Sequence, residues 1–157
     1  MNNEVSTSGY RLSPLSATER DNLATRLSAE ERRVLLGHGT EAPFCGGLLN
    51  NKQQGTYGCR LCGLPLFRSG AKFESGTGWP SFFEPFDPAH IHYLSDTTYG
   101  MTRTEIRCMR CDGHLGHVFD DGPPPSRQRY CMNSAAMEFF PEGTEPPPDS
   151  PPTYAKH

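Results

Sequence analysis

The spacing of the cysteines constrains this 157-residue chain more than any other feature. Four of its six cysteines form two C-x-x-C pairs, Cys59 with Cys62 and Cys108 with Cys111. A C-x-x-C turn directs two sulfur atoms at one point, and two such turns complete a closed tetrahedral shell around a metal ion. The pairs therefore predict a structural four-cysteine zinc site that joins two distant parts of the chain.

Other interpretations of the pairs stay open at this point. Each C-x-x-C could be a thioredoxin-like redox motif, although that motif needs a βαβ context that neither pair shows. His114 and His117 could replace a cysteine as ligands, because both follow Cys111 closely. The donor set does not separate zinc from iron, and zinc is the usual ion of closed structural sites.

The composition favours short strands over long helices, since the chain has 16 glycines and 15 prolines. From Thr56 onward, β-prone runs alternate with Gly, Pro and Asp, a spacing that favours antiparallel sheets. The predicted strands cover residues 56–59, 72–75, 91–94, 102–107, 116–119, 129–132 and 137–140. We therefore expect one mainly β domain.

Two short helices are predicted ahead of the strands. Ser16 with Glu19 and Ser28 with Glu31 match the S-x-x-E capping box, in which the two side chains satisfy each other's terminal amides. Gly37 can end the second helix.

Three segments are predicted along the chain. Residues 1–12 are expected to be a flexible terminus, 13–141 the folded domain, and the Pro-rich residues 142–157 a disordered or polyproline-like tail.

The charge pattern limits the partners that we expect. A net charge of -3 argues against a general polyanion binder, because nucleic-acid affinity comes from clustered Lys and Arg. The one basic patch, Arg103, Arg107 and Arg110, is expected to be a solvated strand face. The first residues lack the pattern of a signal peptide, so we expect a monomeric cytoplasmic protein with no membrane or nucleic-acid partner.

A fifth cysteine, Cys131, lies in a predicted strand with Arg129 and Asn133 on the same face. A guanidinium favours the thiolate, so a lowered pKa of Cys131 is expected. By the same alternation His117, Phe119 and Asp121 share a face. A lone cysteine is also often a small buried hydrophobe and a lone histidine a satisfied polar group, so these patterns alone leave catalysis open.

Three blocks of sequence bear on the choice between a catalytic and a structural role for these residues. They are Gly76–Phe82 (GTGWPSF), His114–Pro123 (HLGHVFDDGP) and Arg129–Ser134 (RYCMNS). In this order, with C-x-x-C pairs before and between them, they resemble methionine sulfoxide reductase B in its zinc-containing form. The resemblance covers roughly residues 16–141. It implies a β fold of two antiparallel sheets and thiol-dependent reduction of the R epimer of methionine sulfoxide, free or in peptides.

The resemblance also implies roles for single residues. Cys131 matches the nucleophile that becomes a sulfenic acid, and His117 is the best candidate for the acid that protonates the oxygen. His114 is a possible assistant, and Asp121 is expected to orient a histidine.

The remaining matches concern the substrate pocket. Trp79 and Phe119 match the wall around the terminal methyl of the substrate, while Asn133 and Arg129 match polar positions that hold the sulfoxide and the thiolate. Without the resemblance, core packing is the less favoured alternative explanation of Trp79, the only tryptophan.

One position departs from the family pattern. Many members carry a resolving cysteine where this chain has Thr77, and Cys45 is then the only cysteine without a role. We hypothesise that Cys45 attacks the Cys131 sulfenic acid and that thioredoxin or a similar dithiol reduces the resulting disulfide. The alternative is that Cys45 is idle and an external thiol reduces Cys131 directly.

Two non-enzymatic functions also fit parts of the pattern. A zinc-ribbon interaction module would need no reactive Cys131, and a redox sensor would oxidise Cys131 and Cys45 without a sulfoxide substrate. Stereospecific turnover separates the enzyme from both.

Overall fold

The computed structural model describes residues 5–97 and 100–144. In these ranges two α-helices, α1 (Ala17–Ala24) and α2 (Ala29–Leu35), precede nine strands. The strands are β1 (Gly55–Cys59), β2 (Pro65–Arg68), β3 (Lys72–Phe73), β4 (Ser81–Phe82), β5 (Ile91–Asp96), β6 (Arg103–Cys108), β7 (His114–Phe119), β8 (Arg129–Met132) and β9 (Met137–Pro141). Within the same ranges, neither helix has the length and apolar character needed to span a membrane.

The strands form two antiparallel sheets, which confirms the predicted fold class. One sheet has the order β2-β1-β9, and the other has the order β3-β4-β8-β7-β6-β5. Aromatic rings join the sheets: the rings of Phe67 and Phe82 stack with centroids 4.3 Å apart, and Tyr57 contacts Phe82 at 5.1 Å. All three residues are fully buried. Each such ring stabilises the core by roughly 1.5–3 kcal/mol.

Both predicted helices are present, and both capping boxes form. The side chains of Ser16 and Ser28 accept the amides of Glu19 and Glu31, whose carboxylates accept the serine amides in return. The second helix ends at Leu35, two residues before the predicted glycine. A Cβ on Gly37 would lie only 2.7 Å from the Arg33 carbonyl oxygen, so the turn that follows the helix favours a residue without a side chain.

All seven predicted strands exist, with ends shifted by up to two residues. The prediction missed β2 and β4. The first begins at Pro65, which has no amide hydrogen for a sheet ladder, and the second is a two-residue strand directly after Pro80. Tertiary pairing rather than local pattern makes these segments strands.

Two of the predicted segments, residues 1–12 and 142–157, are at the ends of the chain. From residue 5 onward the N-terminal segment has specific contacts: Val5 pairs with Arg11, the Ser6 hydroxyl lies 2.8 Å from His90 Nε2, and Ser8 donates to the Asp87 carboxylate. Of the predicted tail, residues 145–157 lie outside the described residues.

Candidate active site and metal centre

Cys59, Cys62, Cys108 and Cys111 form a buried cluster in which all four sulfur atoms lie within 4.8 Å of one another. The Sγ–Sγ distances are 3.5 Å for Cys59 with Cys111 and for Cys62 with Cys108. A tetrahedral shell with metal–sulfur bonds of ~2.3 Å places its sulfurs about 3.8 Å apart, so the cluster fits one metal ion after a slight expansion. Neither histidine considered above belongs to the cluster.

The two C-x-x-C turns are built alike. The Gly63 amide donates to the Cys59 carbonyl at 2.7 Å, and the Asp112 amide donates to the Cys108 carbonyl at 2.8 Å. Gly63 and Asp112 both have positive φ, at 82° and 62°. The left-handed residue after each pair turns the chain back so that both thiols of the pair point the same way.

The basic patch is not the solvated strand face that its sequence predicted. Arg110 is only 1% exposed, and its guanidinium donates to the Cys62 carbonyl at 3.0 Å. Arg107 pairs with Glu105 at 2.9 Å, and Arg103 lines a cavity on the larger sheet. The tight C-x-x-C turns leave carbonyl groups without strand partners, and a buried guanidinium satisfies one of them.

The residues that the sequence predicts to be reactive lie on one face of the larger sheet, which we call the reactive face. His117 pairs with Cys131 across β7 and β8, and Phe119 pairs with Arg129 in the adjoining row. Directly paired residues of antiparallel strands share a face. All four side chains line one cavity of about 250 Å³, as the alternation predicts; Thr40, Thr77, Trp79, Arg103 and Asn133 complete most of its lining.

The environment of Cys131 corrects one expectation. Burial raises the pKa of the Cys131 thiol above its ordinary value, although the Arg129 charge and a hydrogen bond from Thr77 lower it. The lowered pKa expected from Arg129 is therefore wrong for the free protein, because loss of water outweighs the cation. The thiol form dominates at neutral pH.

The histidine partners also differ from the expectation. His117 Nε2 lies 2.8 Å from Asp96 Oδ2, and His114 Nδ1 lies 2.7 Å from Glu105 Oε2. Sequence reasoning found neither acid, since both lie on other strands. His114 is buried and does not line the cavity, although its ring packs edge-on against that of His117. Burial lowers the pKa of His114 despite the Glu105 carboxylate.

Asp121 does not orient a histidine. Its carboxylate accepts two hydrogen bonds from the Arg129 guanidinium, at 2.9 and 3.1 Å. Strand β7 ends at Phe119, so the alternation that placed Asp121 beside His117 no longer applies. The Arg129 guanidinium, held by this pair, lies 4.5 Å from the centre of the Phe119 ring.

Glu41 connects the pocket residues and was missed from the sequence. Its carbonyl accepts from Trp79 Nε1 at 3.0 Å, and its amide donates to Asn133 Oδ1 at 2.9 Å. Its buried carboxylate accepts the backbone amides of Ser134 and Ala135. No local pattern marks this residue, because its carboxylate partners lie more than ninety positions away. The segment around Glu41 thus fixes Trp79 and Asn133 relative to each other.

Thr77 belongs to a cluster of hydroxyl groups beside the Cys131 sulfur. Its Oγ1 lies 2.9 Å from the Ser75 hydroxyl, which lies 2.7 Å from the Ser81 hydroxyl. Ser81 pairs with Cys131 across β4 and β8. The residue that departs from the family pattern therefore offers Cys131 a hydrogen bond in place of a second thiol.

Cys45 and Cys131 lie in different cavities. Cys45 is exposed and lines a cavity with Gly46, Ser134 and their neighbours. The residue before it, Phe44, has a φ of 65°, and its amide donates to the Gly78 carbonyl at 2.7 Å. A bond between the two sulfurs requires this segment to rearrange.

Comparison with known proteins supports the resemblance seen in the sequence. Residues 27–141 match the model of the SelR domain. The chain is 62% identical over 135 residues to a peptide methionine sulfoxide reductase MsrB of Xylella fastidiosa (strain M23), which covers 86% of this chain and 87% of that protein. It is 60% identical over 145 residues to the protein of the same name from Caulobacter vibrioides (strain NA1000 / CB15N), covering 92% and 91%. Identity to that of Escherichia coli O45:K1 (strain S88 / ExPEC) is 52% over 119 residues, covering 76% and 87%.

Proposed function

This chain belongs to the SelR-domain family, and on that premise we propose that it reduces the R epimer of methionine sulfoxide, free or in peptides, to methionine. The observation that carries the proposal is the position of the Cys131 thiol. It shares one cavity with an imidazole, a guanidinium and two aromatic rings. A thiol, an acid and an apolar wall are the groups that sulfoxide reduction needs.

In the proposed chemistry the Cys131 thiol passes its proton to His117, and the resulting thiolate attacks the sulfoxide sulfur while His117 donates that proton to the oxygen. The substrate sulfur gains two electrons and leaves as the thioether, and the oxygen remains on Cys131 as a sulfenic acid. Cys131 is oxidised by the same two electrons, so the step balances without a cofactor.

Different parts of the cavity wall would contact the terminal methyl group and the sulfoxide group of the substrate. The rings of Trp79 and Phe119 would hold the terminal methyl, since both line the cavity and neither bears a charge. The side chains of Arg129 and Asn133 would hold the polar sulfoxide and the thiolate. His114, buried behind His117, is proposed only to support that ring.

Resolution of the sulfenic acid is assigned to Cys45. Its thiol would attack Cys131, water would leave, and the resulting disulfide would be reduced by thioredoxin or another dithiol in a reducing cytoplasm. The conformation of Phe44 supports a segment that rearranges, because a positive φ at a non-glycine residue costs about 1–3 kcal/mol.

The four-cysteine cluster would hold zinc. Bound there, zinc would supply folding energy through four thiolate ligands, and a closed shell leaves it no position for substrate. Cys131 does not belong to this cluster, so the cysteines would divide into a structural and a reactive group.

The proposal is tested with peptides that contain resolved R or S methionine sulfoxide, with dithiothreitol as the electron source. Wild-type protein is expected to reduce only the R epimer, and a Cys131→Ser variant neither. Absence of turnover of both epimers by metal-loaded wild-type protein would contradict the proposal and favour an interaction module.

The assignment of Cys45 has its own test. A Cys45→Ser variant is expected to lose thioredoxin-dependent turnover yet release one methionine per chain in a single turnover and keep its activity with dithiothreitol. Full turnover with thioredoxin would show that an external thiol acts directly on Cys131.

A further inference from the structure

We infer that Asp96 is the positioning residue for His117, and that the proton for the sulfoxide oxygen comes from His117 Nδ1. The inference rests on the proposed function, since it concerns the acid in that reaction. The observation behind it is the 2.8 Å contact between His117 Nε2 and Asp96 Oδ2. The two side chains are only 13% and 14% exposed, so little water competes for this bond.

The Asp96 carboxylate is itself held in place. Asp96 ends β5 and pairs directly with Arg103, which begins β6. Arg103 Nη2 donates to the same Oδ2 at 3.2 Å. The Asp96 Oδ2 atom thus accepts hydrogen bonds from Arg103 on the neighbouring strand and from the His117 ring two strands away. An oxygen fixed by a charged partner can fix the ring in turn.

The sheet explains why Asp96 rather than a nearer acid serves His117. Glu105 lies directly opposite His117 across β6 and β7. Its carboxylate is already bound to His114 and to Arg107. The carboxylate of Asp121 is bound to Arg129. Among the described residues, Asp96 is therefore the acid that forms a hydrogen bond with His117.

The bond to Asp96 decides which nitrogen can act on the substrate. A carboxylate only accepts hydrogen bonds, so Nε2 carries a proton in both the neutral and the charged ring. His117 takes the Cys131 thiol proton at Nδ1 and gives it up from the same nitrogen to the sulfoxide oxygen. The neutral ring that remains has its proton on Nε2, still bound to Asp96. The carboxylate orients the ring and selects its tautomer without taking part in the proton transfer.

The kinetic test uses Asp96→Asn, with Asp120→Asn as a matched control on an exposed residue just after β7. The single-turnover rate with an R-sulfoxide peptide is expected to fall by about 10- to 100-fold in Asp96→Asn, less than the loss of an entire general acid. The KM is expected to change by less than about threefold, because Asp96 touches the acid and not the substrate. The control should keep the wild-type rate. An unchanged single-turnover rate in Asp96→Asn would overturn the inference.

The spectroscopic test does not depend on activity. Protein with ¹⁵N-labelled histidine, in which the His117 signals are identified by their loss in His117→Asn, is expected to show neutral His117 protonated at Nε2. Asp96→Asn should show a mixture of tautomers. Protonation at Nδ1 in the wild-type protein would overturn the inference, and this measurement decides the matter if Asp96→Asn fails to fold. Failure of wild-type protein to reduce the R epimer would instead remove the proposed function.

Discussion

The metal cluster and the reactive face place the same type of side chain, that of cysteine, in contrasting surroundings. In the cluster, four cysteine sulfurs are buried against one another, and two arginines bind the backbone carbonyls of Cys62 and Cys111. On the reactive face a single cysteine, Cys131, lines a cavity among side chains from several strands. The cluster depends on two local turns, whereas the reactive face depends on the register of a whole sheet.

That difference separates two ways in which a fold can control a thiol. A metal ion holds a thiol in the deprotonated state and occupies its lone pairs, so the cluster cysteines would be unreactive. Among the described residues Cys131 belongs to no such cluster, and burial raises its pKa, which favours the thiol in the free protein. Changes to the two regions should therefore have separable effects on stability and on reactivity.

The largest expected effect comes from breaking the cluster. Structural zinc sites contribute about 10–16 kcal/mol, which matches or exceeds the whole stability of a typical domain. A Cys108→Ser variant should therefore lack bound metal and a cooperative unfolding transition, as shown by elemental analysis and circular dichroism. The matched Cys45→Ser variant should keep both. A metal-free Cys108→Ser protein with native stability would show that the cluster has no structural role.

A smaller effect is expected at Glu41, which ties the reactive face together. Glu41→Gln replaces one of two accepting oxygens by a donor that faces a backbone amide, at a cost of about 1–3 kcal/mol in the free energy of unfolding. Urea unfolding followed by Trp79 fluorescence measures this loss. Metal content should stay full, and the exposed Glu30→Gln should unfold at the wild-type urea concentration. Metal loss in Glu41→Gln would show that the two regions are coupled.

The smallest expected effect concerns the charge beside Cys131. Removal of the guanidinium in Arg129→Gln should raise the pKa of Cys131 further, because in the wild-type protein the Arg129 charge opposes the effect of burial. The thiolate fraction at a given pH then falls, so alkylation by iodoacetamide at pH 7 should slow by up to about tenfold. The pH profile, recorded with Cys45→Ser also present, should move to higher pH. An unchanged profile, like that expected for the exposed Arg127→Gln, would contradict this account of the charge.

The sequence predicts those parts of the molecule that local patterns define. Capping boxes at Ser16 and Ser28 predict both helices, because each box involves residues three positions apart. The cluster is predicted although its two C-x-x-C pairs are distant, because each pair is a local turn and a metal ion needs both. Strand alternation also predicts the shared faces of β7 and β8, including the position of His117 opposite Cys131.

The parts that the sequence does not predict depend on long-range pairing. Alternation suggested Asp121 as the histidine partner, but the strand ends before it and Asp96 reaches His117 from another hairpin. Glu41 acts on residues more than ninety positions away. The pKa of Cys131 depends on how deeply the finished sheet buries it, which a neighbouring arginine in the sequence does not reveal.

The division of the cysteines into two groups has one direct test. Metal-loaded wild-type protein receives one equivalent of an R-sulfoxide peptide without any reductant, and the state of each cysteine is then determined by differential alkylation and mass spectrometry. We expect one methionine per chain, a disulfide between Cys131 and Cys45, and a cluster that keeps its metal and four unoxidised cysteines. Oxidation within the cluster and loss of metal, with Cys131 still a thiol, would contradict the account.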